Sequence, residues 1–148
     1  MTEEILAQYV AAIRSAVIAD PKHERPVGDV GNITLLHFFG YNVSNGGFAQ
    51  LIFNAQGQYM QEFEDMLLTS GSLISHQYYV QAIRECLDDR ENFDQFMNSD
   101  FVSPNALKDR LHLLTVEYFR AGGDLMKEAS DYFLKIQPKV ESWIASHA

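Results

Sequence analysis

Apolar residues recur at helical spacing along almost the whole chain, and no segment alternates as a strand would. Near the N-terminus the pattern runs through Ile5, Leu6, Tyr9, Val10 and Ile13, and similar stripes follow in the later segments. A period near 3.6 residues places such side chains on one face of an α-helix, whereas a half-buried strand needs a period of two. The sequence therefore predicts an all-α fold of about seven to nine helices.

Capping residues and helix breakers set the expected limits of these helices. Short polar side chains accept hydrogen bonds from the free amides of a first turn, and glycine suits the residue after a helix. The expected N-caps are Thr2, Ser44 or Asn45, Ser72 or Ser75, Ser103 and Asp124. The expected stops are Gly40, Gly57, Gly71 and Gly122. Pro138 lacks an amide hydrogen, so we expect it to break or kink the last helix.

The chain of 148 residues, 47% of them hydrophobic, has the size and composition of one globular domain. No repeat or Pro/Gly-rich linker divides it, so we expect residues 1–148 to form a single compact domain. The single cysteine, Cys86, cannot form an internal disulfide and lies on an apolar stripe as a core residue would. The sequence shows neither a signal peptide nor a long apolar segment, which favours the cytoplasm.

Negative charge is concentrated in the middle of the chain. Twenty acidic residues against eleven basic ones give a net charge of −9, which repels nucleic acid and anionic lipid. Seven of those nine net charges fall between residues 62 and 100, where nine acids face only Arg84 and Arg90. The nine acids are Glu62, Glu64, Asp65, Glu85, Asp88, Asp89, Glu91, Asp94 and Asp100. We expect them to form a surface that attracts a basic protein partner.

Catalytic and metal-binding patterns are not found in the sequence. The five histidines are His23, His37, His76, His112 and His147, and none has the spacing of a helical zinc motif. Ser44 lies outside any nucleophile-elbow pattern, and the acidic pairs lie on the polar sides of their helices. The sequence therefore predicts a protein that is not an enzyme and that needs no cofactor or metal.

One stretch carries a family resemblance. Asn45, Gly46, Gly47, Phe48, Gln50, Asn54 and Gly57 fill every fixed place of the pattern N-G-G-F-x-Q-x-x-x-N-x-x-G. Together with the flanking segments, this stretch resembles the bacterial DNA mimic protein family over roughly residues 33–132. The resemblance implies an all-α fold without known catalytic activity. It also implies an acidic surface that imitates duplex phosphates and occupies a transcription factor or other DNA-binding protein.

The motif itself is interpreted as architecture. Asn45 acts as a cap, the two following glycines allow close approach, and Phe48 anchors the helix in the core. Gln50 and Asn54 are expected to be partly buried amides that hold backbone groups. A ligand cleft built on those amides is the alternative.

Three functions remain open at this point. The favoured one is a DNA mimic that acts by binding a basic DNA-binding protein, with a homodimer as a way to extend the acidic array. An immunity or antitoxin protein that neutralises a basic nuclease would use the same electrostatics. A hydrolase or small-ligand-binding protein would instead use Gln50, Asn54 and nearby histidines.

Overall fold

The computed structural model describes residues 1–22 and 24–148, so His23 lies outside the described part of the chain. Within those ranges the chain forms eight helices and no strand, which confirms the predicted all-α class. The helices are α1 (Glu3–Ala19), α2 (Gly28–Ala55), α3 (Met60–Thr69), α4 (Leu73–Asp88), α5 (Arg90–Met97), α6 (Ala106–Arg120), α7 (Leu125–Glu128) and α8 (Ser130–Ser146). None of these helices combines the length and the hydropathy that crossing a lipid bilayer requires.

Helix α2 lies at the centre of the fold and packs against α1, α3, α6, α7 and α8. Helix α4 packs on α3, α5, α6 and α7. Phe39 of α2 is fully buried, and its ring lies 5.7–6.3 Å from those of Phe48, Phe63 and Tyr79. Edge-to-face aromatic contacts of this kind add about 1 kcal/mol each to the energy of burial.

Gly40 does not end a helix, and the predicted stop at this position is wrong. Helix α2 continues through it to Ala55, with a break in its backbone only at Gly46 and Gly47. Gly40 is buried, and a Cβ added there would lie 3.2 Å from Cε of Met126. The absence of a side chain at Gly40 therefore allows α2 to pack closely on α7. In the sequence, a glycine at such a contact looks the same as a glycine at a helix end.

The break in α2 is stabilised from another helix. Gly47 has φ +73° and ψ −168°, a conformation that L residues with a side chain rarely adopt. The amide of Phe48, which opens the second half of α2, donates a hydrogen bond of 3.0 Å to Oγ1 of Thr115 in α6. The predicted cap, Ser44 or Asn45, was therefore wrong in identity, because the acceptor comes from a residue 67 positions away.

Of three other helix starts, one has the expected cap and two differ from the expectation. Thr2 caps α1 as predicted, accepting from the amide of Ile5. Asn105, two residues after the predicted cap Ser103, accepts from the amide of Lys108 at the start of α6. Asp124 caps the short α7 rather than the last helix.

Pro138 neither ends α8 nor leaves a non-helical residue in it, so the predicted break is wrong. Pro138 is exposed, and Leu134, whose carbonyl loses its helical partner, is 60% exposed. Water can therefore bind the carbonyl that the missing amide leaves free, which lowers the cost of proline inside this helix.

Candidate partner-binding surface

The nine acids between residues 62 and 100 lie on α3, α4, α5 and the turns that follow α4 and α5. They divide into two groups by exposure. Six are exposed: Glu62, Asp65, Asp88, Glu91, Asp94 and Asp100. The other three, Glu64, Glu85 and Asp89, are half-buried, and each of them faces a basic side chain. Arg110 therefore pairs with two of the half-buried acids and His76 lies beside the third, whereas the other six are open to solvent.

Arg110 of α6 neutralises part of the acidic segment. Its Nε lies 3.1 Å from Oε2 of Glu85, and its second guanidinium nitrogen lies 2.5 Å from Oδ2 of Asp89. His76 of α4 places Nε2 3.5 Å from Oε1 of Glu64 in α3. The charge count along the chain missed Arg110 because it lies outside the acidic segment, 21 residues after Asp89.

Two of the nine acids also hold the local backbone. Asp89 accepts from the amide of Asn92 and so caps α5, and hydrogen bonds from Asn92 and Arg110 hold its pKa below the usual range. Asp100 accepts from the amide and the hydroxyl of Ser103, both at 2.7 Å, which likewise lowers its pKa. Substituting Asp89 or Asp100 would therefore change a helix start or a turn as well as the surface charge.

The acids best placed for a partner form a short ridge. We define the acidic ridge as Asp88, Glu91 and Asp94, which are spaced three residues apart and are all exposed. Phe96 anchors α5 in the core, so Glu91 and Asp94 lie on the opposite, outward side of that helix, and Asp88 is the last residue of α4. The ridge carries three negative charges, with Arg90 as the neighbouring base in the sequence, and this arrangement is suited to attracting a basic protein.

The family motif builds a network of side-chain amides across the break in α2. Asn42 is 3% exposed, and its Oδ1 accepts from Nε2 of Gln50 at 3.1 Å and from Nδ2 of Asn54 at 2.7 Å. Asn42 in turn donates to the carbonyl of Phe38, and Asn45 donates to Oε1 of Gln50. The expectation that Gln50 and Asn54 hold backbone groups was therefore wrong, because both bind the side chain of Asn42. Asn54 is also exposed rather than partly buried.

Sequence reasoning missed Asn42, the residue on which this network depends. The backbone break at Gly46 and Gly47 lies between Asn42 and its two partners, eight and twelve residues away, so helical spacing gave no signal for this contact. Both polar ends of Gln50 are occupied by asparagines of the same network. The network therefore joins the two halves of α2, and Gln50 has no amide group directed at a ligand.

The other chemical candidates lie in the core. Cys86 is 5% exposed, and burial raises the pKa of its thiol to about 12. A thiol in that state is protonated at neutral pH and is a poor nucleophile. A partly open cleft of about 260 Å³ between α2 and the α6–α7 turn is lined mainly by apolar residues, with Glu3, Ser44 and Asp124 as its polar side chains.

The family model described as DMP19-like protein, which is the DNA mimic family, matches residues 28–147. The chain belongs to the DMP19-like protein family. The match runs from the first residue of α2 to one residue beyond the end of α8. It therefore includes the amide network, the acidic ridge and Arg110, and it leaves out α1. The predicted family is confirmed, and the matched segment is longer at both ends than the segment of the expected resemblance.

Neither the curated proteins nor the solved structures contain a match to this DMP19-like chain. Helix α1 precedes the segment that the family model matches. It buries Leu6, Val10 and Ile13 and packs against α2 and α8, so it contributes to the same hydrophobic core.

Proposed function

We propose that this DMP19-like protein is a DNA mimic that acts by binding rather than by catalysis, in the cytoplasm. Its partner is a transcription factor or another DNA-binding protein, whose DNA-binding surface it occupies through the acidic side of α3, α4 and α5. Family membership supports the class of function. The distribution of exposed carboxylates supports the location of the binding surface.

The observation that carries the proposal is the separation of paired from free acids. Arg110 and His76 face the half-buried acids, whereas the exposed ones are left without a basic partner among the ion pairs of the described residues. Duplex DNA presents one charge per about 1.7 Å of its axis, so a mimic needs several unpaired carboxylates on one side. Six exposed acids on consecutive elements supply part of such an array.

A basic nuclease would be attracted by the same surface. The second candidate function is therefore an immunity or antitoxin protein, which differs from a DNA mimic only in the partner. The two functions are separated by what the bound partner does: a DNA-binding protein loses its DNA, whereas a nuclease loses its hydrolytic activity.

The test uses neutralised variants of the acidic ridge. The ridge variant combines Asp88→Asn, Glu91→Gln and Asp94→Asn. The control variant combines Glu4→Gln, Glu24→Gln and Asp131→Asn, three exposed acids outside the middle segment, and it changes the net charge equally. All six positions are exposed, so each substitution is expected to change the free energy of unfolding by less than about 0.5 kcal/mol.

Affinity capture from the native cell at low and high salt identifies the partner, and its complex with DNA is then titrated with each protein. We expect the wild type and the control to displace DNA. The ridge variant should bind more slowly and with a weaker dependence on salt, because surface charges act mainly on the association rate. Equal losses in both variants would mean that only total charge matters and would refute a localised surface. A captured protein that cleaves nucleic acid, and that loses this activity in the complex, would favour the second function.

A further inference from the structure

Helix α6 exposes apolar side chains on the face that points away from the core. Its inner face is formed by Leu107, Leu111, Leu114 and Tyr118, all of which are buried against α2 and α4. On the outer face Leu113 is 66% exposed and Val116 is 45% exposed. These two residues are neighbours on the helix surface, being three positions apart.

Two charged residues continue this outer face at its ends. Asp109 lies four residues before Leu113, and Arg120 lies four residues after Val116; both are exposed. We call Asp109, Leu113, Val116 and Arg120 the α6 seam. Spacing of four, three and four residues is that of the contact line between two helices in a coiled coil. The seam extends over about 17 Å at 1.5 Å per residue.

The seam is complementary to itself in one orientation only. When two copies pack with α6 antiparallel, Leu113 of each meets Val116 of the other, and Asp109 of each meets Arg120 of the other. A parallel arrangement would instead place the two aspartates together and the two arginines together, which is unfavourable. The charges therefore select a two-fold symmetric pair, the commonest symmetry of protein oligomers.

We propose that the α6 seam is a homodimer interface, in which α6 packs antiparallel on α6 of a second copy. A strongly basic protein does not fit this surface, because the seam carries one acid and one base and has no net charge. The acidic ridge is on α4 and α5 and not on the seam, so the dimer is separate from the proposed DNA mimicry. The failure of one proposal leaves the other intact.

The first test is sedimentation of the purified chain over a range of concentrations, with Leu113→Glu and the control Leu134→Glu. Leu134 of α8 is 60% exposed, similar to Leu113, and lies outside the seam. Each dimer buries Leu113 twice, so we expect Leu113→Glu to weaken self-association at least about a hundredfold. Leu134→Glu should dimerise as the wild type does.

The second test exchanges the charges at the ends of the seam. Asp109→Arg and Arg120→Asp, made singly, place like charges opposite each other at both ends and should each weaken the dimer about tenfold. The double variant restores opposite charges and should recover most of the wild-type association. Circular dichroism checks that each variant is folded.

The proposal is overturned if the wild type remains a monomer at all accessible concentrations, or if Leu134→Glu disrupts the dimer as strongly as Leu113→Glu. It is also overturned if the double charge variant associates no better than the single ones. In that case the two ends of the seam do not meet.

Discussion

Gly47→Ala tests whether the break in α2 depends on the absence of a side chain. At φ +73° and ψ −168°, Gly47 occupies a region of backbone conformation that is almost restricted to glycine. A Cβ at this position would lie 2.5 Å from Oγ1 and 2.9 Å from Cγ2 of Thr115. Two separate costs therefore arise, one from the backbone of residue 47 and one from the contact with α6.

The backbone cost is about 1–3 kcal/mol, as for other residues held in rarely populated conformations. The contact cost is also about 1–3 kcal/mol, because an extra carbon in a packed site forces its neighbours to move. We therefore expect Gly47→Ala to lower the free energy of unfolding by about 2–6 kcal/mol, a large part of the 5–15 kcal/mol usual for a domain.

The assay is urea denaturation of Gly47→Ala, Thr115→Ala and the double variant. Thr115→Ala alone removes the acceptor for the Phe48 amide and should cost about 1–3 kcal/mol. In the double variant the contact cost is relieved, so the second substitution should cost less than it does alone. Gly57→Ala is the control, since Gly57 has φ +76° with nothing within 4 Å of an added Cβ. It should show a backbone cost of about 1–2 kcal/mol only.

Two results would refute this reasoning. If Gly47→Ala costs less than about 1 kcal/mol, the backbone of α2 can adopt a different path at no great expense. If Gly47→Ala costs the same with and without the Thr115 side chain, the contact with α6 contributes nothing.

Three further predictions concern the core, a helix start and an ion pair. Phe48→Ala empties a fully buried aromatic site and should cost about 3–5 kcal/mol in urea denaturation; unchanged stability with loss of partner binding would make the motif a contact surface. Glu128→Ala removes the carboxylate that accepts from the amide and hydroxyl of Ser75 at the start of α4, and should cost about 2 kcal/mol in the same assay. Hydrogen bonds from Lys139 and Tyr132 hold the pKa of Asp29 below its usual range, so their stabilisation is present above the unfolded pKa and is lost as pH falls. Asp29→Asn should lower Tm at pH 7 by about 2–4 °C, and the difference from wild type should close as the pH falls through the lowered pKa of Asp29.

The fold class was predictable because it depends on a repeated signal. Helical periodicity is present in every segment, and an error at one residue does not change the pattern. Individual limits were less predictable, as Gly40 and Gly47 illustrate. Both glycines are buried, yet one lets two helices approach inside a continuous helix and the other breaks the backbone. What differs is the residue that each glycine packs against, Met126 for Gly40 and Thr115 for Gly47. Both of these residues are distant in the sequence, so the local pattern could not indicate them.

The sequence indicated where the exposed acids are concentrated, but it did not indicate which of the nine acids are free of basic neighbours. Counting charge along the chain identified the acidic segment, because the segment forms consecutive helices. It could not separate Glu85 and Asp89 from the free acids, since Arg110 reaches them from α6. For the same reason, a charge reversal of Glu85 and Asp89 would perturb the fold, and the ridge variant changes Asp88, Glu91 and Asp94 instead.

The hydrogen bond between Phe48 and Thr115 makes one amide a reporter of the distance between two helices. An amide inside a helix normally exchanges its hydrogen with solvent when its own turn frays. The Phe48 amide has its acceptor on α6, so local fraying of α2 alone need not release it, whereas separation of the two helices does. Its exchange rate should therefore follow the opening of the α2–α6 interface. Ligands or partners that tighten this interface would be detected at residue 48 even when they bind far from it.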